Sequence, residues 1–367
     1  MAGSYFGTVF RISTWGESHG KALGVVIDGC PAGLMLDETD IQPFMDRRKP
    51  GQSEFSTPRT EEDRVEILSG VFEGRTTGTP ISMLVYNKSH RSSDYGELAQ
   101  CYRPGHADYT FDAKYGFRDY RGGGRSSGRE TLARVAAGAV AVKILNQLGI
   151  RFLTYTRSIG EIGIRKDRFD EEEIARNPLY MPDKEAAERA SEYIRKMREQ
   201  HDSVGGCVET VITGLPAGIG DTVFEKLDAN LAKALMSIGA VKAVEIGDGI
   251  QVGRMTGSEA NDGFRLDEDG RVIKSSNHAG GIMGGMSDGA PVVLRAVFKP
   301  TPSIFKPQQT VNRGREEVEL TIQGRHDPVI VPRAVVVVEA MAALTILDGL
   351  LVNMTATMDG IRRFYQP

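Results

Sequence analysis

Cysteine is scarce in this chain, and its spacing argues against two kinds of scaffold. The 367 residues include only three cysteines, Cys30, Cys101 and Cys207, which lie far apart and form no C-x-x-C pair. Disulfide frameworks need an even set of cysteines, and structural zinc sites need closely spaced ones. We therefore predict reduced thiols in a cytosolic protein, without a disulfide framework and without a zinc site.

The sequence also lacks the features of a protein that binds nucleic acid or membranes. Its 45 basic and 49 acidic residues give a formal net charge of −4, which does not indicate nucleic acid as a partner. The N-terminus has no basic segment followed by an apolar one, so it does not read as a signal peptide. The most apolar segment, residues 329–352, is interrupted by Arg333, Glu339 and Asp348, which indicates a core helix. We predict a cytoplasmic protein with no membrane partner.

Several common catalytic motifs are missing as well. The six histidines show no H-x-x-x-H or similar spacing, so we predict no metal site. The chain has no G-x-S-x-G nucleophile elbow, no Walker A sequence and no G-x-G-x-x-G after a predicted strand, which argues against a dinucleotide-binding Rossmann fold. Four histidines instead lie in Gly- or Pro-containing loops beside arginines or acids: His19, His106, His278 and His326. This pattern predicts proton transfer near a bound anion.

Glycine, by contrast, is abundant, with 43 residues against a usual share of about 7%. Residues 115–130, YGFRDYRGGGRSSGRE, combine three consecutive glycines with four arginines, Arg118, Arg121, Arg125 and Arg129. Ser127 and Glu130 have the spacing of a capping box, which predicts a helix start here. Because helix N-termini attract anions, we predict that this loop binds phosphate or carboxylate. A flexible surface loop with solvated charges is the alternative.

The predicted elements are antiparallel strand pairs with buried helices. Residues 6–13 and 22–28 predict a hairpin whose loop displays Glu17, Ser18 and His19. Residues 130–148 are small and apolar on nearly all sides, which is typical of a helix buried between layers. Further strands are predicted at 65–72, 81–86, 207–213, 241–246, 292–298 and 317–322, helices at 39–48, 224–237 and 332–351, an ordered loop at 94–119 and a solvated helical pair at 165–200. The residues alone support a site for a multiply anionic small molecule with histidine and carboxylate acid–base groups.

Five sequence blocks, spread over nearly the whole chain, carry a closer resemblance. They are Gly16-Glu17-Ser18-His19-Gly20, Arg103-Pro104-Gly105-His106-Ala107-Asp108, Asp119-Tyr120-Arg121-Gly122-Gly123-Gly124-Arg125-Ser126-Ser127, Ser276-Asn277-His278-Ala279-Gly280-Gly281 and Gly324-Arg325-His326-Asp327-Pro328. In this order they resemble the chorismate synthase family. The resemblance implies conversion of 5-enolpyruvylshikimate 3-phosphate to chorismate by anti-1,4-elimination of phosphate and a ring hydrogen. It also implies reduced FMN as cofactor, although the reaction has no net redox change.

The resemblance further implies roles for individual residues. His19 is expected to protonate the departing phosphate, His106 to protonate the reduced flavin near N1, and Asp327 to assist flavin N5 in removing the ring proton. Arg48 and Arg129 are the implied ligands of the substrate's anionic groups. The implied FMN contacts are Arg125, Ser126, Ser127, Gly239, Ala240, Gly284, Lys299, Pro300, Thr301, Pro302, Ser303 and Arg325.

The fold implied by the resemblance is α+β: a single-domain β-α-β sandwich over residues 1–367, with helices packed between two antiparallel sheets. It also implies a homotetramer with FMN near the subunit contacts. Two positions depart from the family pattern. Glu54 stands where many relatives carry a basic residue, and Gly239 stands where a larger residue is common, which leaves that flavin contact to the backbone.

Two other readings of the chain stay open at this point. It could be a flavin- or anion-binding protein that keeps the pocket but has lost the catalytic activity. The presence of all three proton-handling residues, His19, His106 and Asp327, argues against this. It could also be a bifunctional enzyme that reduces its own FMN with NADPH. Since no appended domain or long insertion is visible, we expect dependence on an external flavin reductant.

Overall fold

The computed structural model describes residues 3–57, 61–87, 99–322 and 327–366. Its strands are β1 (Tyr5–Phe6), β2 (Arg11–Gly16), β3 (Ala22–Asp28), β4 (Glu66–Ile67), β5 (Val71–Phe72), β6 (Arg75–Thr76), β7 (Ile81–Tyr86), β8 (Arg151–Ile159), β9 (Ile162–Gly163), β10 (Gly206–Thr213), β11 (Val241–Ile246), β12 (Phe264–Leu266), β13 (Val272–Lys274), β14 (Ile282–Met283), β15 (Met286–Ser287), β16 (Val292–Phe298), β17 (Gln308–Val311) and β18 (Glu317–Leu320). Its helices are α1 (Glu38–Arg48), α2 (Asp108–Tyr115), α3 (Thr131–Gln147), α4 (Glu173–Arg176), α5 (Lys184–Glu199), α6 (Leu227–Met236), α7 (Gly257–Ala260), α8 (Val331–Asn353) and α9 (Met358–Tyr365).

Two five-stranded antiparallel sheets form the framework, so the α+β class predicted from the sequence is confirmed. The first sheet has the strand order β1-β2-β3-β7-β4, and the second has the order β11-β16-β10-β8-β9. The predicted hairpin at the start of the chain is present, because β2 pairs with β3 from Arg11↔Asp28 to Gly16↔Leu23. Small two-stranded sheets, β5-β6, β12-β13, β14-β15 and β17-β18, extend from this framework.

The core is built on α3 and α8, which cross each other at close range. α3 contacts β2 and β3 of the first sheet, and α8 contacts β8 and β10 of the second. Both helices are buried over most of their length, as their Ala- and Val-rich sequences predict. Small residues allow the close crossing, since a Cβ atom added to Gly138 of α3 would lie 2.3 Å from the Cβ of Ala340 in α8.

The sequence of α8 is long and apolar enough for a membrane span, but its position is that of a core helix. Most of its residues are buried inside the protein. Glu339, one of the charged residues that interrupt the apolar run, lies only 7% exposed and forms an ion pair of 2.7 Å with Arg47. The core-helix prediction is therefore confirmed.

Gly138 provides a direct test of this crossing. We expect Gly138→Val to destabilise the protein by about 1–3 kcal/mol, because the new side chain would overlap the Cα and Cβ atoms of Ala340. Thermal or denaturant unfolding measures the change. Gly253→Ala is the matched control, since no atom lies within 4 Å of a Cβ at Gly253, and we expect an effect within about 0.5 kcal/mol. Equal stability of the two variants would contradict the close packing.

The three cysteines are free, as the sequence analysis predicts. Cys30 and Cys207 are buried, and burial raises the pKa of the Cys30 thiol to about 11 and that of the Cys207 thiol to about 12. Because only a thiolate reacts readily, these two residues are inert core side chains.

Several local predictions were wrong. The capping box at Ser127 does not form: the Glu130 carboxylate accepts a hydrogen bond from Arg134 Nε, and α3 begins only at Thr131, after a 3₁₀ turn. α2 lies within the 94–119 stretch that was predicted to be a loop. Asp108 pairs with Arg103, and Asp112 pairs with Arg118 and with the distant Arg313, so these ion pairs stabilise a helix with little apolar periodicity. Residues 65–72 contain two short strands in place of one. The helical pair predicted at 165–200 is present as α4 and α5, but α5 is not fully solvated, because it buries Ala186, Ala187, Ala190 and Ile194.

Candidate active site

The β2–β3 hairpin presents His19 to the glycine-rich loop. Ser18 Oγ lies 3.0 Å from His19 Nδ1. A Cβ atom on Gly122 would lie only 2.1 Å from His19 Nδ1, so the backbone of the loop packs directly on the imidazole ring. A larger residue at this position would displace the His19 ring, and the three consecutive glycines place the loop against a histidine.

A buried carboxylate joins the two arginines that are the predicted substrate ligands. Arg48, at the end of α1, is 2% exposed, and its Nη2 donates to Asp63 Oδ2. The other oxygen of Asp63 accepts from Arg129 Nη1 at 3.0 Å. Arg129 Nη2 also lies 3.4 Å from Glu61 Oε2. Arg48 and Arg129 are thus brought together, although 80 residues separate them in the sequence and neither alone indicates the other.

Arg48 and Asp63 stay ionised near neutral pH. Burial lowers the pKa of Arg48 to about 10, against the attraction of Asp63 and with further lowering by the positive charges of Arg333 and Arg129. Burial opposes ionisation of Asp63, but Arg48 and Arg129 outweigh it and hold the pKa of Asp63 below its usual value. The cluster therefore presents two fixed guanidinium groups.

Asn87 connects this cluster to the histidine hairpin. Its Oδ1 accepts from Arg129 Nε at 2.5 Å, and its Nδ2 donates to the carbonyl oxygens of Gly20 at 2.8 Å and Glu17 at 3.1 Å. Those carbonyls belong to the loop that carries His19. The two arginines and the backbone of the loop that carries His19 consequently share one hydrogen-bonded network.

Asp327 enters the same network from the opposite end of the chain. Its Oδ1 accepts from the Thr57 backbone N–H at 2.6 Å, and its Oδ2 forms an ion pair with Arg333 Nη1. Arg333 Nε in turn donates to the carbonyl oxygen of Arg48 at 3.0 Å. Arg333 lies in the first turn of α8, so the core helix positions the carboxylate.

His106 lies in a second group of candidates, formed by two interlocked segments. Its Nε2 lies 2.9 Å from Ser303 Oγ, and Lys299 Nζ donates to the Gly105 carbonyl oxygen at 2.9 Å. A Cβ on Gly105 would lie 2.6 Å from Pro302 Cβ, so the two segments are in close contact. The backbone N–H of Lys299 also donates to Ala240, at 2.9 Å.

Two residues just before β10 join the second group to Pro328, the neighbour of Asp327. Ser203 Oγ donates to the Thr301 carbonyl oxygen at 2.6 Å. The next residue, Val204, donates its backbone N–H to the carbonyl oxygen of Pro328 at 2.9 Å. Asp327 and the segment 299–303 are therefore attached to neighbouring backbone positions.

The other predicted cofactor contacts lie on several separate parts of the fold. Arg125 donates to Thr14 Oγ1 at 2.7 Å and to the Gly16 carbonyl oxygen at 3.2 Å, so its guanidinium is anchored to β2. Ser126 Oγ donates to the Gly123 carbonyl oxygen, and Ser127 Oγ accepts from the Arg129 N–H. Gly284 occupies the β14–β15 turn, and Gly239 precedes β11. Arg325 lies outside the described residues.

Several members of the network were not predicted from the sequence as site residues: Glu61, Asp63, Asn87 and Arg333. Arg333 was noted only as an interruption of an apolar run, and Asp63 belongs to the charged segment Glu61-Glu62-Asp63-Arg64, which looks like a solvated turn. One signal is visible only in the structure: Asp63 has a φ of +46°, uncommon for a residue other than glycine, together with a fully buried side chain.

Glu54, the departure noted in the substrate loop, pairs with a helix. Arg195 Nη2 of α5 lies 2.7 Å from Glu54 Oε1, and Arg198 donates to the Glu54 carbonyl oxygen at 3.2 Å. Both side chains of the ion pair are about half exposed. An exposed pair of this kind contributes little to stability, but it ties residues 53–56 to α5.

Comparisons with known proteins agree along the whole chain. The family model described as Chorismate synthase matches residues 10–351. The chorismate synthase of Agathobacter rectalis is 64% identical over 366 residues, which is 100% of both chains. That of Methanosarcina mazei is 56% identical over 354 residues, covering 96% of this chain and 97% of its own. A solved structure, described as the crystal structure of chorismate synthase, has a TM-score of 0.76 at 31% identity and covers 98% of this chain and 97% of that one.

Proposed function

This chain belongs to the chorismate synthase family, and from that membership and the site geometry we infer where its reaction takes place. It converts 5-enolpyruvylshikimate 3-phosphate to chorismate and phosphate, a step of the shikimate pathway to the aromatic amino acids. We propose that the network of His19, Arg48, Arg129 and Asp327 is the catalytic site. The observation that carries this proposal is that one hydrogen-bonded network joins Arg48, Arg129 and Asp327 to the backbone of the hairpin loop that carries His19.

The arginines suit a substrate with one phosphate and two carboxylates. Arg48 Nε is buried and has no hydrogen-bond partner among the described residues, and Arg129 Nη2 has only the 3.4 Å ion pair with Glu61. A buried donor without a partner costs about 1–3 kcal/mol. An anionic group of the substrate would remove this cost, which supports the two residues as its ligands.

The acid–base residues account for both protons of the elimination. Loss of phosphate breaks a C–O bond and loss of the ring hydrogen breaks a C–H bond. Because this is a 1,4-elimination, the ring double bond that lies between the two positions shifts, and the product ring has two conjugated double bonds. We assign His19 as the acid that gives a proton to the departing phosphate, and Asp327 as the carboxylate that helps to take up the ring proton. Arg333 and the Thr57 N–H hold Asp327 through its two oxygens, which supports a fixed base.

The family uses reduced FMN, which when bound supplies electron density to the reacting ring without net redox change. The residues that would hold it are those of the resemblance, above all the segment 299–303. Thr301 Oγ1 is buried without a hydrogen-bond partner among the described residues, and no atom lies within 4 Å of a Cβ at Gly239 or Gly284. The hydroxyl of Thr301 and the open space beside Gly239 and Gly284 suit a bound cofactor. We assign His106 as the residue that holds a proton for the flavin.

We also propose a single-domain architecture with helices between the two sheets, and an assembly of several subunits. α3 contacts the first sheet and α8 the second, which supports one domain with helices between two sheets. The β12–β13 hairpin exposes Phe264, Leu266 and Val272 by 64–68%. Such an apolar hairpin supports association of subunits, here as the family's homotetramer. We further propose that the protein is cytoplasmic and receives reduced FMN from an external reductant.

Anaerobic turnover tests the proposed function. Purified protein with reduced FMN and 5-enolpyruvylshikimate 3-phosphate should release phosphate and form chorismate in equal amounts. A binding protein without chemistry would bind both ligands and release no phosphate. NADPH and oxidised FMN supplied in air without another enzyme should give no turnover, and sustained turnover would instead favour the bifunctional reading.

A further inference from the structure

We propose that Ser303 transfers the proton of His106, so that the imidazole acts through the serine hydroxyl and not by direct contact with the proton acceptor. This rests on the proposed function in which His106 holds a proton for the cofactor. The sequence resemblance placed Ser303 only among the contacts of FMN. Its position beside His106 gives Ser303 a second role, in proton transfer.

Both ring nitrogens of His106 face hydrogen-bonding groups of the protein. Nδ1 lies 3.0 Å from the Pro104 carbonyl oxygen, and Nε2 lies 2.9 Å from Ser303 Oγ. A carbonyl oxygen can only accept, so Nδ1 must carry a hydrogen. In the neutral ring Nε2 then has a lone pair and accepts the hydrogen bond from the Ser303 hydroxyl. The tautomer of His106 is thus fixed by Pro104.

The two residues are also held in place relative to each other. Ser303 is 8% exposed, and its segment is anchored at Lys299, which donates to Gly105, and at Thr301, which accepts from Ser203. Pro302 packs on Gly105, one residue before His106. Because the two segments are held together immediately before the contact, Ser303 lies at the one ring nitrogen that can gain and lose a proton.

The proton moves in a balanced sequence. In the protonated ring, Nδ1–H still donates to Pro104 while Nε2–H donates to Ser303 Oγ, and the serine hydrogen turns to an acceptor on the ligand. When that acceptor takes the serine hydrogen, one O–H bond breaks, the Nε2–H bond breaks and a new O–H bond forms on Ser303. The serine is restored, the imidazole is left neutral, and no electrons are transferred. His106 is half-buried and can be reprotonated from solvent.

The tautomer can be tested in ligand-free protein, independently of activity. In ¹⁵N-labelled protein, we expect the His106 ring to show hydrogen on Nδ1 and an Nε2 resonance displaced by a hydrogen bond. Ser303→Ala should move the Nε2 resonance towards that of an unbonded nitrogen. Ser191→Ala is the matched control, since its hydroxyl donates to the Ala187 carbonyl oxygen within α5, and it should leave the resonance in place. Hydrogen on Nε2 in the neutral ring of the parent chain would overturn the proposal.

Kinetics under saturating reduced FMN test the transfer itself. We expect Ser303→Ala to lower kcat by about tenfold or more with little change in KM, Ser303→Thr to restore most of the loss, and Ser303→Ala in a His106→Ala background to cause no further loss. Additive losses would overturn the relay while leaving the role of His106 intact. Full activity of His106→Ala would instead remove the proposed role of His106, so the two failures are distinguishable.

Discussion

Asp327→Asn should lower kcat by about 10²–10⁴-fold while the protein still binds FMN. The substitution keeps the size of the side chain but removes the carboxylate that is proposed to help remove the ring proton, and general-base contributions are of this order. The amide oxygen can still accept one of the two hydrogen bonds from Arg333 and Thr57. The loss should therefore fall on turnover and much less on folding. Single-turnover formation of chorismate under anaerobic conditions measures it.

Asp28→Asn is the control for this experiment. Asp28 forms a half-exposed ion pair with Arg11 on the first sheet, away from the proposed site. The same chemical change there should leave turnover unchanged and shift stability only slightly, since exposed ion pairs contribute about 0–1 kcal/mol. Undiminished turnover in Asp327→Asn would remove Asp327 from the mechanism, whereas a variant that no longer binds FMN would make it a structural residue of the cofactor site.

His19→Asn should reduce turnover by about 10²-fold or more, because the departing phosphate would lose its proton donor. Asparagine can reproduce the hydrogen bond that His19 Nδ1 makes with Ser18 Oγ, so the hairpin loop should keep its shape. Phosphate release in a single turnover is the direct measure. We expect a small change in KM, since the arginines and not His19 are proposed to bind the anionic groups.

His201→Asn is the matched control for His19. His201 is exposed, and its φ of +58° is one that asparagine adopts readily. Its replacement should therefore leave turnover unchanged, and the loss of the ring contact with Phe305 should shift stability only slightly. If His19→Asn released phosphate at the parent rate, the proton for the leaving group would have to come from another residue.

The sequence predicts those parts of the site that depend on residues close together in the chain. The glycines around His19 predict a hairpin loop, and β2 and β3 form it as expected. The four arginines of residues 115–130 indicate an anion site, and Arg129 joins the buried network. Arg125 belongs to the same arginine-rich stretch, but its guanidinium is anchored to the backbone of β2. No local pattern in the sequence distinguishes Arg125 from Arg129.

The parts that could not be predicted arise from tertiary contacts. Asp63 lies in a charged turn that would be solvated in isolation, and only the fold buries it between Arg48 and Arg129. Arg333 would be unfavourable in an apolar helix if it had no partner, but Asp327 and the Arg48 carbonyl satisfy it. Both residues have long-range partners, and hydrophobic periodicity carries no information about such pairs.

The position of Arg333 has a consequence for how the protein loses activity. Arg333 belongs to the first turn of α8, the helix whose next fourteen residues, 334–347, are buried in the core. Opening of the buried run that follows would expose core side chains, so the backbone amides of residues 335–347 should exchange with solvent only when the whole protein opens. The proposed base would then share the cooperative unit of the core, and heat inactivation and global unfolding should have the same midpoint.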